Sequence, residues 1–576
     1  MPVKISRISY KLLTIASLIV YTILLITSHI LADPLSTLPK SFAYSKTSSS
    51  NSLGSFVGSQ NHASMLRMHN ATGTVVLVGE VNPISLERPM FKPFIEIDSQ
   101  GSYLTKNYEA YRIAKNQSEL IKPNTTVFEV KPGFFHDIRL PKIPRTSLNM
   151  SNSILGAFQG LSQNCCFPPD VQVAAGKKYL LEMVNLDGAF YTKDGTLVKA
   201  FGLQRFFDPS VGSNIIDEMT DPVLLFDNLS GRWFASISDI TDHSIRVAVS
   251  KTEDPTGIWR IYNFPFMSQP NNCSDQPFIG VSEDKVVVTV NNWGNDCNWS
   301  SGNRPPEFRG VQLMVADKLD LINGSSYIKA SQSESDLSYF SLHPIMNLSP
   351  TSTLLVATAG DFGHNAIQIF HVDGTLHNLQ IKVTSYPIQR THVASDGVQP
   401  RAHSIIRQIS RDKPVVSTGD ARVQSGSLYQ GKLWLAFNDG CFVIADTMSR
   451  SCIRLVQIDT ITDRVLQDFD IGALASSLYY PAISIDRTGN VGIVFGYSSY
   501  SIHPSILVST RVYSDKASSI EDPQYLKLGT ANELSNRYGD YFAASPDPIN
   551  GSEIWIAGEY HAMATWSTYI GELHIS

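Results

Sequence analysis

The sequence predicts an all-β protein assembled from one repeated hairpin unit, and three observations carry that prediction. From about Phe167 onward almost nothing has helical period. Short runs rich in Val, Ile, Phe, Tyr and Trp alternate instead with Gly, Asn, Asp and Pro turns, which is how strands joined by hairpins read. Within that stretch a unit recurs: an Asp or other polar residue, often a Pro, an alternating strand, a turn with Asp or Gly, then a strongly apolar strand.

The unit appears as FPPDVQVAAGKKYLLEMVN from Phe167, DPVLLFDNLSGRWFASIS from Asp221 and DQPFIGVSEDKVVVTVN from Asp275. It returns as HPIMNLSPTSTLLVATAG from His343, GDARVQSGSLYQGKLWLAFN from Gly419, YPAISIDRTGNVGIVFG from Tyr480 and GDYFAASPDPINGSEIWIAG from Gly539. Seven starts spaced by roughly 50–80 residues are what a β-propeller of four-stranded blades gives when its loops carry insertions. One such unit cannot bury both faces of its sheet alone, whereas radial stacking lets each cover its neighbour. A two-sheet sandwich does not need seven hairpin units. Turn chemistry agrees: Ser230-Gly231-Arg232-Trp233 and Thr256-Gly257-Ile258-Trp259 place a Gly at the hairpin and a Trp where the next strand packs.

Ahead of this region the chain changes character. Lys4, Arg7 and Lys11 precede an uncharged run, Leu12–Ala32, which as a helix spans about 30 Å and matches a hydrocarbon core. The run reads as an uncleaved transmembrane anchor or as a signal peptide cut near Ala32; in both cases the positive flank puts the rest of the chain outside. Residues 33–155 are Ser-, Asn- and Pro-rich. They read as a flexible tether (Ser41–Ser64), a strand at Gly73–Val81 and extended, proline-punctuated segments that either make a small region of their own or wrap the main domain. The organisation expected is therefore 1–32 signal or anchor, 33–155 tether and extended region, and 156–576 propeller.

Composition narrows function. The 576 residues carry a formal net charge of −6 with no long basic block, so no nucleic-acid footprint is present. The six cysteines fit an exported chain: Cys273/Cys297 and Cys441/Cys452 each flank a local loop and are expected to be disulfides, while Cys165 and Cys166 are adjacent. No Cys/His set has zinc spacing, and no cofactor is implied. Ten Asn-x-Ser/Thr sequons are compatible with a glycosylated cell-surface protein.

Several of these segments carry a resemblance. Asp221-Pro222 through Trp233, Arg246–Ser250 with Asp254-Pro-Thr-Gly257-Ile-Trp259, Gly431-Lys-Leu-Trp434 and Arg537-Tyr-Gly-Asp-Tyr541 resemble secreted, largely uncharacterised β-propeller proteins related in architecture to the sialidase-like superfamily. The resemblance covers most of Phe167–Ile575. It implies a propeller, and it leaves six blades, the sialidase number, beside the seven that the repeats suggest. Asp254, Gly257 and Trp259 look like an Asp-box hairpin shifted by one residue, since its Gly stands three positions after the Asp instead of two.

Sialidase-like hydrolysis requires three arginines around a carboxylate, a Tyr nucleophile activated by a Glu, and an Asp acid. Arg401, Arg422 and Arg537 lie near unit starts, with Tyr479, Tyr480, Tyr538 and Tyr541 in similar places and Asp420 and Asp540 nearby. The ligand-binding set expected at the channel mouth is Arg401, Arg422, Arg537, Asp420, Asp540, Tyr480 and Tyr538. The opposing reading is that Asp and Arg recur at blade starts because they tie neighbouring blades together. The start acids Asp170, Asp221, Asp275, Asp420 and Asp540 match no calcium loop. Gly426–Lys432 imitates a phosphate loop, but Leu433 replaces the required Ser/Thr and a strand follows it.

Two functional classes result. One is an extracytoplasmic surface propeller that binds a glycan, envelope component or protein partner without catalysis. The other is a sialidase-like glycoside hydrolase acting at the channel mouth. An Asp-box out of register and the lack of a Glu beside a pocket Tyr favour binding.

Overall fold

The computed structural model describes residues 68–89, 135–142, 153–164, 166–210, 219–266, 272–294, 307–360, 363–400, 416–534, 537–563 and 565–575. These lie in the compact unit His62–Ser576. The Leu12–Ala32 run lies outside the described residues, among which no helix is long and apolar enough to cross a membrane.

The chain folds as a β-propeller, an almost wholly antiparallel set of sheets. Three sheets have four strands in simple chain order. The first is Gln172–Ala175, Tyr179–Val184, Asp187–Thr192 and Leu197–Gly202; the second is Ser476–Ile485, Val491–Ser499, Ile502–Arg511 and Gln524–Lys527. The third has its first two-residue strand at His343–Pro344, followed by Leu354–Thr358, Ala366–Asp373 and Gln380–Pro387. A six-stranded sheet adds Met346–Asn347 and Phe135–Asp137, both parallel, to the edges of Val423–Tyr429, Lys432–Cys441, Arg450–Asp459 and Arg464–Gly472. A nine-stranded sheet contains two antiparallel runs of four, Met219–Phe264 and Cys273–Ser333, joined edge to edge by Met68–Val81.

The last sheet combines an early strand with the last three of the chain. Ile154–Ser162 pairs antiparallel with Thr565–His574, behind Glu553–Ala562 and Ala543–Pro546. Pairing an early strand with the final one removes two sheet edges that would otherwise stay open. Glu182 reinforces this closure from the neighbouring sheet. It is fully buried, accepts from the Leu161 N–H (3.0 Å) and the Tyr191 hydroxyl (3.0 Å), and is bonded by Thr568.

The apolar core lies in layers between adjacent sheets, which explains the sequence pattern. Arg450–Asp459 and Ser476–Ile485 are buried along their whole length, their polar residues Ser451, Arg454 and Ser484 included, because both faces of these strands are covered. Phe190 and Phe201 pack against Trp233 and Ile237, Phe469 and Ile453 against Leu478 and Ile493, and Trp555 and Trp566 against Val173 and Leu180. Each such side chain contributes about 1.5–3 kcal/mol on removal from water. Cys441 and Cys452 form a disulfide across paired strands, with Cα atoms 5.9 Å apart. Cys166 and Cys273 are also disulfide-bonded; Cys165 and Cys297 lie outside the described residues.

One backbone feature repeats at the innermost strands. Asp170, Asp221, Gln276, Ser341, Gly419, Tyr480 and Asp540, one at or near each unit start, all have left-handed φ between 50° and 67°. Bulges in the ladders follow at Thr220/Val223, Asp275/Phe278 and Tyr479/Ala482. A left-handed residue beside a bulge bends the strand and re-aims its first side chains. Asn, Asp and Gly accept that conformation readily, while Tyr480 must be held in it.

What holds these bends is a second recurring position, at the end of the apolar strand. Asn185 donates to Asp170 Oδ2 (2.7 Å) and accepts from the Asp221 N–H (3.1 Å), joining its own bend to the next. Asn291 joins Gln276 to Ser341 in the same way, and Asn438 joins Thr418 to Tyr480. Ser238 and Thr358 stand at the corresponding places and donate to the Ser274 and Phe340 carbonyls.

Candidate site at the channel mouth

The bends bring acids from separate sheets to one place. Burial and the neighbouring carboxylates of Asp221 and Asp540 push Asp170 well above the ordinary carboxylate range. Burial, Asp275 and Asp540 do the same for Asp221, which shares a hydrogen bond with Asp275. Like charges this close cannot all ionise without a counter-charge. The Tyr541 hydroxyl faces the same group. Burial first, then Asp221, raises its pKa far above the usual phenol value, with Asp170, Asp540 and Arg422 also acting on it.

Of the residues expected to bind ligand, Arg422, Arg537, Asp420, Asp540 and Tyr480 gather around this acidic group. The guanidinium of Arg422 closes on the carboxylate two residues before it: Nε donates to Asp420 Oδ1 at 2.7 Å, Nη2 bonds Oδ2, and its face lies 5.0 Å from the Phe340 ring centroid. Arg537 does likewise with Asp540, Nη2 to Oδ2 at 2.7 Å, both side chains being about one quarter exposed. Tyr480 is buried and its hydroxyl reaches Asp540 Oδ1 at 3.4 Å. Its ring fills the space beside Gly539, where any Cβ would stand 2.3 Å from it. Tyr538 is also buried, and its hydroxyl donates inward to the Glu559 carbonyl at 2.7 Å. Arg401 lies outside the described residues.

Below the mouth, the inner strands enclose a cavity of about 450 Å³ whose walls include Phe278, His343, Gln424, Ser484 and Tyr541. Phe278 lies tilted against His343 (centroids 4.5 Å) and meets Tyr541 edge-on at 5.6 Å. Burial lowers His343 to about 4, so the imidazole is neutral at pH 7.

One cluster escaped the sequence reading. His561 Nε2 lies 2.8 Å from both Glu533 Oε2 and Glu559 Oε1, all three residues being fully buried. Burial lowers the His561 pKa, but the two carboxylates outweigh it and raise it to about 10. Glu559 also accepts from the Gly539 N–H at 2.7 Å, so the triad anchors the same turn that presents Arg537 and Asp540. The only sequence signal was Glu559 and His561 alternating on one strand, hence facing one side.

No family model matches the sequence, and no curated protein matches it. Among solved structures, similar chains include sialidase- and neuraminidase-like proteins. The NanB sialidase of Streptococcus pneumoniae is 10% identical with a TM-score of 0.36, over 69% of this chain and 82% of that one. The subtype N10 neuraminidase-like protein of A/little yellow-shouldered bat/Guatemala/060/2010 is 9% identical with a TM-score of 0.33, over 73% and 99%. A quinohemoprotein alcohol dehydrogenase of Comamonas testosteroni is 10% identical with a TM-score of 0.33, over 69% and 66%.

Proposed function

We propose that this chain is an extracytoplasmic propeller of seven blades that binds a glycan, envelope component or protein partner without turning it over. The nine-stranded sheet counts as two blades in this reading, and seven left-handed bends, one for each unit start, support the count. The Leu12–Ala32 run tethers it to the membrane or directs its export.

The observation that carries the non-catalytic reading is the pairing of the arginines. Hydrolysis of an acidic sugar needs guanidinium forks turned toward a ligand carboxylate. Arg422 and Arg537 instead close on Asp420 and Asp540 within their own turns. Tyr538 is buried and its hydroxyl is bonded inward to the Glu559 carbonyl, away from a nucleophile's task, while the buried Tyr480 reaches Asp540. Incubation of the purified chain with a fluorogenic acidic-sugar glycoside should release no fluorophore. Turnover that disappears in Arg537→Lys, with folding intact, would establish the hydrolase instead, because Lys cannot reproduce a bidentate guanidinium contact.

A further inference from the structure

The innermost strands run from the left-handed bends to their hairpins, and the cavity of about 450 Å³ lies along them. Four side chains of its wall, from four of the repeated units, carry a buried polar atom without a hydrogen-bond partner: His343 Nδ1, Gln424 Oε1, Ser484 Oγ and the Tyr541 hydroxyl. Gln424, Ser484 and Tyr541 are 8%, 1% and 3% exposed, so bulk water does not serve them. Each such orphan costs about 1–3 kcal/mol, and a ligand that supplies the missing hydrogen bonds removes that cost.

The mixture of these atoms sets the chemistry of the ligand. Gln424 Oε1 only accepts, the Ser484 and Tyr541 hydroxyls donate or accept, and His343, neutral at pH 7, does either at Nδ1 according to its tautomer. A carboxylate would need donors alone and an ammonium group acceptors alone, whereas hydroxyl groups match a mixed set. Spread over four units, the orphan atoms suit a molecule with several hydroxyls. Charge points the same way. Among the described residues, the acidic and basic side chains of the wall are Asp227, Glu283, Arg487 and Asp547, all at the hairpin ends of their strands. Asp227 and Asp547 are paired with Lys318 (2.6 Å) and Lys193 (2.5 Å), while the exposed Glu283 and Arg487 mark where the cavity meets solvent. Its volume falls in the range of about 300–1,000 Å³ usual for small-molecule sites, whose walls are mostly apolar with a few placed polar groups. Phe278, edge-on to Tyr541, offers an aromatic surface to the C–H face of a sugar ring.

We infer that this cavity binds an uncharged polyhydroxylated molecule, its hydroxyl groups bonded to His343, Gln424, Ser484 and Tyr541. This rests on the binding reading above, narrows its ligand to uncharged hydroxyl-bearing chemistry and seats it along the channel instead of between the arginines of the mouth. The hydroxyls belong either to a free sugar or polyol or to the terminal sugar of a glycan.

The test is a saturation-transfer NMR titration of the purified full chain with glucose, galactose, mannose and mannitol, with glucuronate and glucosamine as charged comparisons. At least one of the four uncharged compounds should bind saturably, and more tightly than either charged one. Ser484→Ala and Tyr541→Phe each delete one orphan hydroxyl, so the melting temperature of the ligand-free protein should not fall. Each should still weaken binding about three- to tenfold, the worth of one hydrogen bond. An oligosaccharide that ends in the bound sugar and competes with it would assign the glycan source; binding without that competition would assign the free molecule. The inference is overturned if none of the four binds saturably, if a charged comparison binds more tightly, or if both variants bind as the parent does. In that last case the orphan atoms are served by water only. A lowered melting temperature in both variants overturns it as well, because the hydroxyls would then already be bonded within the protein. A parallel incubation with the acidic-sugar glycoside separates the two levels: turnover sinks the binding reading itself, while absent sugar binding without turnover sinks only this inference.

Discussion

Replacing Asn438 with alanine tests whether the recurring polar residue at the end of the apolar strand holds the inner bends. Asn438 is fully buried; it donates to the Thr418 carbonyl (2.7 Å) and, more distantly, to that of Asp420 (3.3 Å), and accepts from the Tyr480 N–H (2.7 Å). Alanine leaves the Thr418 carbonyl and the Tyr480 N–H without this partner, and both residues are buried. Each orphaned group costs about 1–3 kcal/mol, so the pair costs about 2–6 kcal/mol. Tyr480 also sits at a φ of 50°, a conformation that a tyrosine leaves readily once its N–H is released. Urea denaturation should therefore show a lower midpoint with an unchanged slope. Asn438→Ser provides the calibration. Ser238 serves the corresponding position by donating one hydroxyl to a neighbouring carbonyl, so serine should cost clearly less than alanine. A loss below about 1 kcal/mol for Asn438→Ala, or equal losses for Ser and Ala, would refute the reasoning.

Three further outcomes are expected. Burial raises Glu182 and Glu559 to about 7. Between the ordinary glutamate value of 4.5 and 7 the unfolded chain loses those protons while the folded chain keeps them, so stability falls as pH rises, by about 1.4 kcal/mol per pH unit for each proton. Denaturation midpoints from pH 4.5 to 7.5 should flatten in Glu182→Gln, and an unchanged slope there would count against the assignment. The Cys441–Cys452 bond closes a short loop, sequence separation 11, and its removal by paired serines should cost about 2–3 kcal/mol; non-reducing peptide mapping that finds both thiols free would cancel this. Asp540→Ala removes the partner of Arg537 and puts alanine at a φ of 56°, for a loss of about 1–3 kcal/mol, whereas Asp540→Asn, which tolerates that φ, should lose less; equal melting temperatures for all three proteins would remove the structural role of the pair.

The fold was legible because its determinants are local and repeated. Every unit start read from Phe167 to Gly539 falls at an innermost strand, since the turn residues and the apolar strand lie within one hairpin. The polar stops Asn185, Asn291 and Asn438 close the quoted units and were visible as residues, but their task was not, because each serves a bend in the following sheet. Pairings across long separations were likewise hidden. Nothing in Ile154–Ser162 marks Thr565–His574 as its partner, and Glu533 meets His561 only through the closing of the last sheet. At the mouth, the gathering of Arg422, Arg537, Asp420, Asp540 and Tyr480 could be anticipated from their place at unit starts. The direction in which Tyr538 turns, inward to Glu559, could not, because neighbours along a strand face opposite ways and a bulge resets the alternation.

Charge balance gives the strongest reason to separate the mouth from an acidic-sugar pocket. For Arg422 to grip a ligand carboxylate it has to release Asp420, a residue 6% exposed, whose two carboxylate oxygens it holds through Nε and Nη2. Exchanging one carboxylate for another gains little, and it adds a negative charge to a group where burial and mutual repulsion already hold Asp170 and Asp221 toward their protonated forms. The arginines thus act as fixed parts of the bends.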